Sequence, residues 1–289
     1  MINRQALIGL IGANIMKSLA PALHIDAFAT AGITGHYHLM DVDQLPGRTL
    51  SGLLDAARTS GFLGVNITFP FKQAVIPLLD ALSPEARQTN AVNTVVVTKD
   101  GHTTGHNTDR SGFRLNFEDG LGRAAAEGQT VVLVGAGGAG SAVANALMDL
   151  GLKTLIVHDT DPARAAALVA DLTSHHGSGR CRMSDRLSEE IAESAGVVNA
   201  TPIGMTGFPG NPVPMAAVQA KHWVADVIYS PIETDLIKAA AAKGARTLTG
   251  GGMCVHQAVD AFRLFTGITP DVARMHRTFA AALAARDAG

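Results

Sequence analysis

The chain has 289 residues, 47% of them hydrophobic and 31 of them glycine, with a net charge of −2 at neutral pH. That length suits two domains more readily than one core, and the near-neutral balance leaves no electrostatic footprint for nucleic acid or an anionic membrane. Two cysteines, Cys181 and Cys254, make neither a disulfide framework nor a zinc site, and are read as reduced thiols of a cytoplasmic protein.

The opening residues, MINRQALIGLIGANIMKSLAPALH, set Arg4 before an apolar run in the manner of a short signal peptide. Asn14 and Lys17 interrupt that run and Pro21 spoils a small-residue cleavage site, so Ala6–Gly12 reads instead as a buried first strand. No stretch is long and apolar enough to span a bilayer. From there to about Asp109, strand-like segments (Ala6–Ile11, His36–Asp41, Gly64–Thr68, Val92–Thr98) alternate with helix-like ones (Ala22–Thr30, Leu50–Thr59, Phe71–Leu79). The alternation predicts an α/β layer with a mostly parallel sheet. Asp109–Glu118 reads as a connecting helix and Gly120–Gly128 as a small-residue linker.

The stretch QTVVLVGAGGAGSAVANALMDLGLKTLIVHD, Gln129 to Asp159, organises the second half. Thr130–Val134 has the profile of a strand buried on both faces, Ala142–Leu150 carries apolar residues at helical intervals, and Thr154–His158 is a second buried strand. Gly135, Gly137 and Gly140 stand between the first strand and the helix at G-x-G-x-x-G spacing. In a dinucleotide site the first glycine allows the tight turn, the second lets the backbone approach a pyrophosphate, and the third brings helix and strand together. An ordinary glycine-rich turn can share that spacing. The flanking strand and helix, with Asp159 placed 24 residues after Gly135, favour the dinucleotide. Further strands are predicted at Gly196–Asn199, Trp223–Ile228 and Ala245–Leu248, and closing helices at Met253–Phe265 and Pro270–Arg286.

Ligands in open α/β sheets lie beyond the carboxyl ends of the strands, which is where Thr68, Asn93, Asn107–Asp109, Thr201 and Tyr229 fall. Pro70 suits the first turn of a helix, which would put Lys72 where the macrodipole disfavours a cation. A solvated lysine paired with an acid explains such a residue; so does a proton-transfer group whose ammonium is made less stable by the dipole and by partial burial. Asp109 or Thr108 reads first as the cap of the helix that follows, and Asp109 alternatively as a carboxylate facing Lys72. Gln257 lies off the apolar face of its helix, beside Met253 and Ala261, and by itself reads as a surface residue; the preceding glycines suggest close approach of a ligand or another backbone. The 11 histidines have no metal-ligand spacing: His36 and His38 read as structural, His175 and His176 as loop residues.

Taken together, SLAPALH, NITFPFK, NAVNTV, HNTDRSGF, VGAGGAG, NATPIGM, DVIYSPIET, GGGM and HQAVDAFRLFTG run in order over nearly the whole chain. In this the chain resembles the shikimate dehydrogenase family, and within it the NAD-preferring quinate/shikimate dehydrogenases. The resemblance implies an α/β fold of two domains: a substrate domain over residues 1–110 with 266–289, and a Rossmann-type doubly wound nucleotide domain over 111–265, the last helices returning to the first domain. It implies reversible oxidation of shikimate or quinate at the C3 hydroxyl. Lys72 and Asp109 match the catalytic pair. Ser18, Asn66, Thr68, Asn93, Tyr229 and Gln257 match substrate-binding positions. On the cofactor side stand Gly135, Gly137, Gly138, Ala139 and Gly140 for the pyrophosphate, Asp159 and Arg164 for the adenosine, and Thr201, Ile228, Gly251 and Met253, the last two near the nicotinamide. No metal is required, and a homodimer is allowed.

Two positions depart from the pattern. Ala20 stands two residues after Ser18 where the family usually has a second hydroxyl, and Ile25 follows His24 where Asn is common. Loss of that hydroxyl weakens the hold on a carboxylate, or marks a site reshaped for a related cyclohexane acid such as an aminated analogue. Asp159 accepts from ribose hydroxyls and repels a 2′-phosphate, so NAD is expected over NADP, although Arg164 is placed where it can meet either adenine or a phosphate. A folate-linked dehydrogenase shares the architecture and a lysine but not these motifs, and a non-catalytic NAD-binding sensor would share the fold alone.

Overall fold

A computed structural model describes residues 5–288; Arg4, on which the signal-peptide pattern depended, lies outside the described residues. The chain divides into two compact units, Met1–Thr108 with Val255–Gly289, and Asp109–Cys254. The first contains β1 (Gln5–Gly12), α1 (Ala20–Thr30), β2 (Thr34–Asp41), α2 (Leu50–Thr59), β3 (Gly64–Ile67), β4 (Ala81–Leu82), α3 (Pro84–Thr89), β5 (Thr94–Val97) and β6 (Thr103–His106). The second contains α4 (Asp109–Gly120), β7 (Thr130–Val134), α5 (Gly138–Asp149), β8 (Thr154–His158), α6 (Pro162–His176), β9 (Cys181–Met183), α7 (Leu187–Glu193), β10 (Gly196–Asn199), β11 (Trp223–Asp226), α8 (Asp235–Ala242) and β12 (Arg246–Leu248). Helix α9 (Gly251–Thr266) starts in the second unit and continues into the first, where α10 (Val272–Ala288) follows.

The first unit's sheet has the order β2-β1-β3-β5-β6-β4. Only β5 runs against its neighbours β3 and β6; the other pairings are parallel. One face packs Ala6, Ile8 and Leu10 with Phe28 of α1 and Ala261, Phe262 and Phe265 of α9. The other packs Ile11, Val65 and Ile67 with Leu53 and Leu54 of α2. Burying an aromatic such as Phe262 contributes about 1.5–3 kcal/mol, and this packing explains why the division falls at Val255. The expected return at residue 266 left the whole helix with the other unit.

One predicted helix is absent. Phe71–Leu79 is a run of turns with a short 3-10 helix at Ile76–Leu78. Apolar residues recur there at helical intervals, but Pro77 lacks an N–H and its ring would meet the carbonyl of Gln73 in an α-helix. Lys72 therefore does not sit in a helical first turn, and the macrodipole reading of its charge is withdrawn.

The second unit's sheet is parallel throughout, in the order β12-β11-β10-β7-β8-β9. This is the doubly wound arrangement, with its switch point at β7 and β10. Leu133, Leu155 and Val157 pack with Val143 and Leu147 of α5 on one face; Val132, Val134 and Ile156 pack with Ile191 and Leu236 on the other. His175 and His176, expected in a loop, close α6. Among the described residues no helix is long and apolar enough to cross a membrane.

Candidate active site

In the first unit the substrate-side candidates gather around the carboxyl end of β3. Asn66, on β3, donates its amide to Asn93 O (3.3 Å) and Thr94 Oγ1 (3.0 Å) and accepts from the Tyr37 hydroxyl (2.9 Å). Asn93 donates to Thr108 Oγ1 (2.8 Å) and accepts from Thr108 N (2.8 Å) and Thr94 Oγ1 (3.1 Å). These side chains are buried, and each bond removes a polar group that would otherwise be costly to desolvate. The bonds also leave a second Asn93 amide hydrogen and one Asn66 oxygen lone pair uncommitted among the described residues.

The half-buried Lys72 lies in the turn that follows β3. Its carbonyl accepts from Val92 N (2.7 Å), while Thr68 O accepts from Phe71 N (2.8 Å) and Thr68 N donates to Ile11 O (3.0 Å). The backbone carrying Thr68 and Lys72 is thus pinned to β1 and to the segment that bears Asn93. Thr108 ends the first unit, and Asp109, the next residue in the chain, is the first of α4 and is buried. Ser18 Oγ accepts from Ala20 N (3.2 Å) at the start of α1, which leaves its O–H to donate outward. Gln257 is half-buried on α9, one turn after Met253.

His24 lies beneath this network. It is fully buried and stacked on Tyr37 with ring centroids 4.7 Å apart, and its Nδ1 has no hydrogen-bond partner among the described residues. Burial disfavours the charged form and drives its pKa down from 6.5 to about 3. A depressed histidine pKa means that between those values the unfolded chain binds a proton that the folded chain refuses. Stability is therefore lost as pH falls through that window, and by pH 5 about 2 kcal/mol has gone. Urea melts of the wild type and His24→Phe at pH 7 and pH 5 should differ by that amount in their pH response. Equal losses in the two proteins would contradict a buried, neutral His24.

In the second unit the glycine-rich turn follows β7. Gly135 has φ +105°, and a Cβ there would lie 2.8 Å from the Ala200 carbonyl carbon. A Cβ on Gly140 would collide with the Gly135 carbonyl oxygen, so the third glycine is what lets α5 approach the strand. Gly137 differs: a Cβ there would meet nothing within 4 Å. No neighbouring atom demands a glycine at Gly137, and the open space beside the N-terminus of α5 fits a ligand's pyrophosphate against the N–H groups of Gly138, Ala139 and Gly140.

Asp159 follows β8. Its carboxylate accepts from Ala136 N (2.8 Å) inside the glycine-rich turn and from Asp161 N (2.9 Å), with lone pairs left for further donors. Arg164 is exposed and pairs with Asp161 at 3.5 Å. Thr201, after β10, donates both its N–H (2.9 Å) and its hydroxyl (2.7 Å) to Asn199 Oδ1. The sequence reading missed the residue beneath these loops, the buried Asp226 at the end of β11. Burial pushes its carboxyl above the ordinary range, against the pull of bonds from Ile228 N, Thr234 and Asn199. A polar residue ending a strand-like run was the available signal; Val227 and Ile228, read as strand, lie beyond β11.

Family models match at residues 10–95, a shikimate dehydrogenase substrate binding domain, and at residues 250–278, a shikimate 5'-dehydrogenase C-terminal domain. The chain is 51% identical to a quinate/shikimate dehydrogenase (NAD(+)) of Corynebacterium efficiens, over 96% of this chain and 99% of that protein. It is 50% identical to a shikimate dehydrogenase (NADP(+)) of Streptomyces avermitilis, over 95% of each. The solved structure of quinate dehydrogenase from Corynebacterium glutamicum in complex with NAD superposes with a TM-score of 0.89 at 48% identity, over 96% of this chain and all of that one. Identity at this level over nearly full length, on the two-unit α/β architecture described above, places the chain in the shikimate dehydrogenase family.

Proposed function

We propose that the chain is an NAD-dependent dehydrogenase that oxidises the C3 hydroxyl of shikimate or quinate to the ketone. Its likeness along almost its whole length to quinate/shikimate dehydrogenases carries that reading. Near-equal identity to an NADP-dependent relative means that overall similarity does not choose the cofactor. Asp159 does: a carboxylate at the end of the second strand of the nucleotide fold suits ribose hydroxyls and opposes a 2′-phosphate.

When bound, NAD supplies the hydride acceptor. The protein's share is a base and a set of donors. In this reading Lys72 accepts the C3 hydroxyl proton as the hydride leaves the same carbon, and Asp109 holds the resulting ammonium. The O–H electron pair becomes the second bond of the carbonyl. Ser18 donates to the substrate carboxylate, and Asn66, Thr68, Asn93, Tyr229 and Gln257 hold that group and the ring hydroxyls. Gly135, Gly137, Gly138, Ala139 and Gly140 take the pyrophosphate, Asp159 and Arg164 the adenosine, and Thr201, Ile228, Gly251 and Met253 the remainder of the cofactor. A panel of shikimate, quinate and an aminated analogue, each with NAD and with NADP, tests this through NADH or NADPH absorbance. Turnover of shikimate or quinate with kcat/KM clearly higher for NAD is expected; equal values for the two cofactors would refute the assignment to Asp159.

Ala20 bears on the substrate. Its N–H already donates to Ser18 Oγ at the first turn of α1, so a serine there would set a second hydroxyl beside the first. A hydrogen bond to a charged carboxylate is worth about 1.5–3 kcal/mol. Ala20→Ser should therefore lower KM for shikimate by about tenfold or more; an unchanged KM would mean that the carboxylate is held elsewhere.

A further inference from the structure

The strand order places Asp159 and the glycine-rich turn on β8 and β7, while β10, β11 and β12 lie on the other side of β7. A dinucleotide laid across the switch point has its adenosine over the first pair and its other half over the ends of the second group. Three loops leave those ends, carrying Thr201, Ile228 with Tyr229, and Gly250 with Gly251. Their backbones are coupled. Val227 N donates to Asn199 O (3.1 Å) and Gly250 N to Ile228 O (3.2 Å). A Cβ on Gly250 would strike the Val227 carbonyl oxygen.

Two side chains set this arrangement. Asn199 and Asp226 end β10 and β11 and are register partners. They are 0% and 2% exposed. Asp226 Oδ1 accepts from Ile228 N (3.0 Å) and Asn199 Nδ2 (3.1 Å), and Oδ2 accepts from Thr234 Oγ1 (2.7 Å). Asn199 Nδ2 also donates to Ile203 O (3.1 Å), and Asn199 Oδ1 accepts from both the N–H and the hydroxyl of Thr201. Every donor and acceptor of Asn199 is used. Its amide cannot be turned over, because the Thr201 N–H must meet oxygen; its NH2 must therefore face an acceptor at position 226.

We propose that Asp226 is a positioning residue for the nicotinamide half of the cofactor site, holding three strand-end loops in one hydrogen-bonded register. This rests on the reading that the second unit binds NAD. An acceptor at position 226 fixes Ile228 directly, Thr201 through Asn199, and Gly250 through the Ile228 carbonyl. The adenosine half is built on β7 and β8, and Asp226 bonds instead to Asn199, Ile228 and Thr234.

Binding of NAD and of ADP-ribose, which lacks the nicotinamide, separates this role from general support of the fold. Asp226→Ala is expected to weaken NAD by about tenfold or more while ADP-ribose stays within about twofold. Asp226→Asn can still accept from Ile228 and Asn199 and donate to Thr234 Oγ1, so it should retain NAD affinity within about threefold of wild type. NAD affinity unchanged in Asp226→Ala, or both ligands weakened alike, would overturn the proposal. If Asp226→Ala does not fold, Thr234→Val removes one of the three donors and should weaken NAD alone; unchanged NAD binding there also overturns it. Wild-type protein that binds neither ligand would remove the parent reading as well, an outcome distinct from any of these.

Discussion

Replacing Lys72 with alanine is expected to lower kcat by about a hundred- to ten-thousand-fold, the usual contribution of a positioned acid–base group. Affinity for NAD should change little, because the glycine-rich turn and Asp159 belong to the other unit. Lys72 is half-buried in a turn whose backbone is held through Val92 N and Ile11 O, bonds that an alanine at position 72 would keep. A kcat deficit with normal NAD binding is thus the signature of lost chemistry rather than lost structure. Asp109→Asn, which keeps the shape and removes the charge, should lower kcat in the same direction. A Lys72→Ala enzyme retaining more than about a tenth of wild-type kcat would take the lysine out of this role.

The second large effect separates two glycines of one turn. Gly140→Ala places a methyl against the Gly135 carbonyl oxygen, a backbone atom that cannot rotate away, and Gly135 is itself confined against Ala200. Either α5 or the turn must shift, so both thermal stability and NAD affinity should fall, the affinity by about a hundredfold or more. Gly137→Ala adds a methyl where, among the described residues and apart from its chain neighbours, no atom lies within 4 Å. Its Tm should stay at or slightly above wild type, since the unfolded chain loses freedom while the native backbone, at φ −78°, is unstrained. NAD affinity should nevertheless drop by about tenfold or more. A Gly137→Ala protein that binds NAD as the wild type does would mean that the pyrophosphate lies elsewhere.

The architecture of the second unit is legible in the sequence because its central strands are short apolar runs punctuated by glycines, and Thr130–Val134 and Thr154–His158 form where expected. What escapes is carried by other signals. The strand β6, TTGH, has no apolar side chain: its buried face consists of Thr103 and Gly105, and pairing with β5 and β4 sets its place. Helices α3, α6 and α8 announce themselves through caps: Ser83, Asp161 and Thr234 each accept from a first-turn N–H, the first two followed by proline. Phe71–Leu79 errs the other way, where apolar spacing outweighed Pro77. Lys72 was thus singled out by a helix that does not form, and its candidacy rests on the motif around it. Asn66 and Asn93 could be named from the sequence, but the bonds of Asn66 to Tyr37 and Thr94, and of Asn93 to Thr108, join residues 15 or more positions apart, which periodicity cannot pair. Asp226 was hidden within VADVI, where a single acid looks like an interruption rather than the anchor of three loops.

Transfer of deuterium from substrate to cofactor tests the proposed chemistry without intermediaries. Shikimate or quinate carrying deuterium on C3 should yield NADH that bears the label on its nicotinamide ring, together with the unlabelled ketone. NADH formed without the label would contradict hydride transfer from that carbon, and absence of NADH with either substrate would contradict the assigned reaction itself.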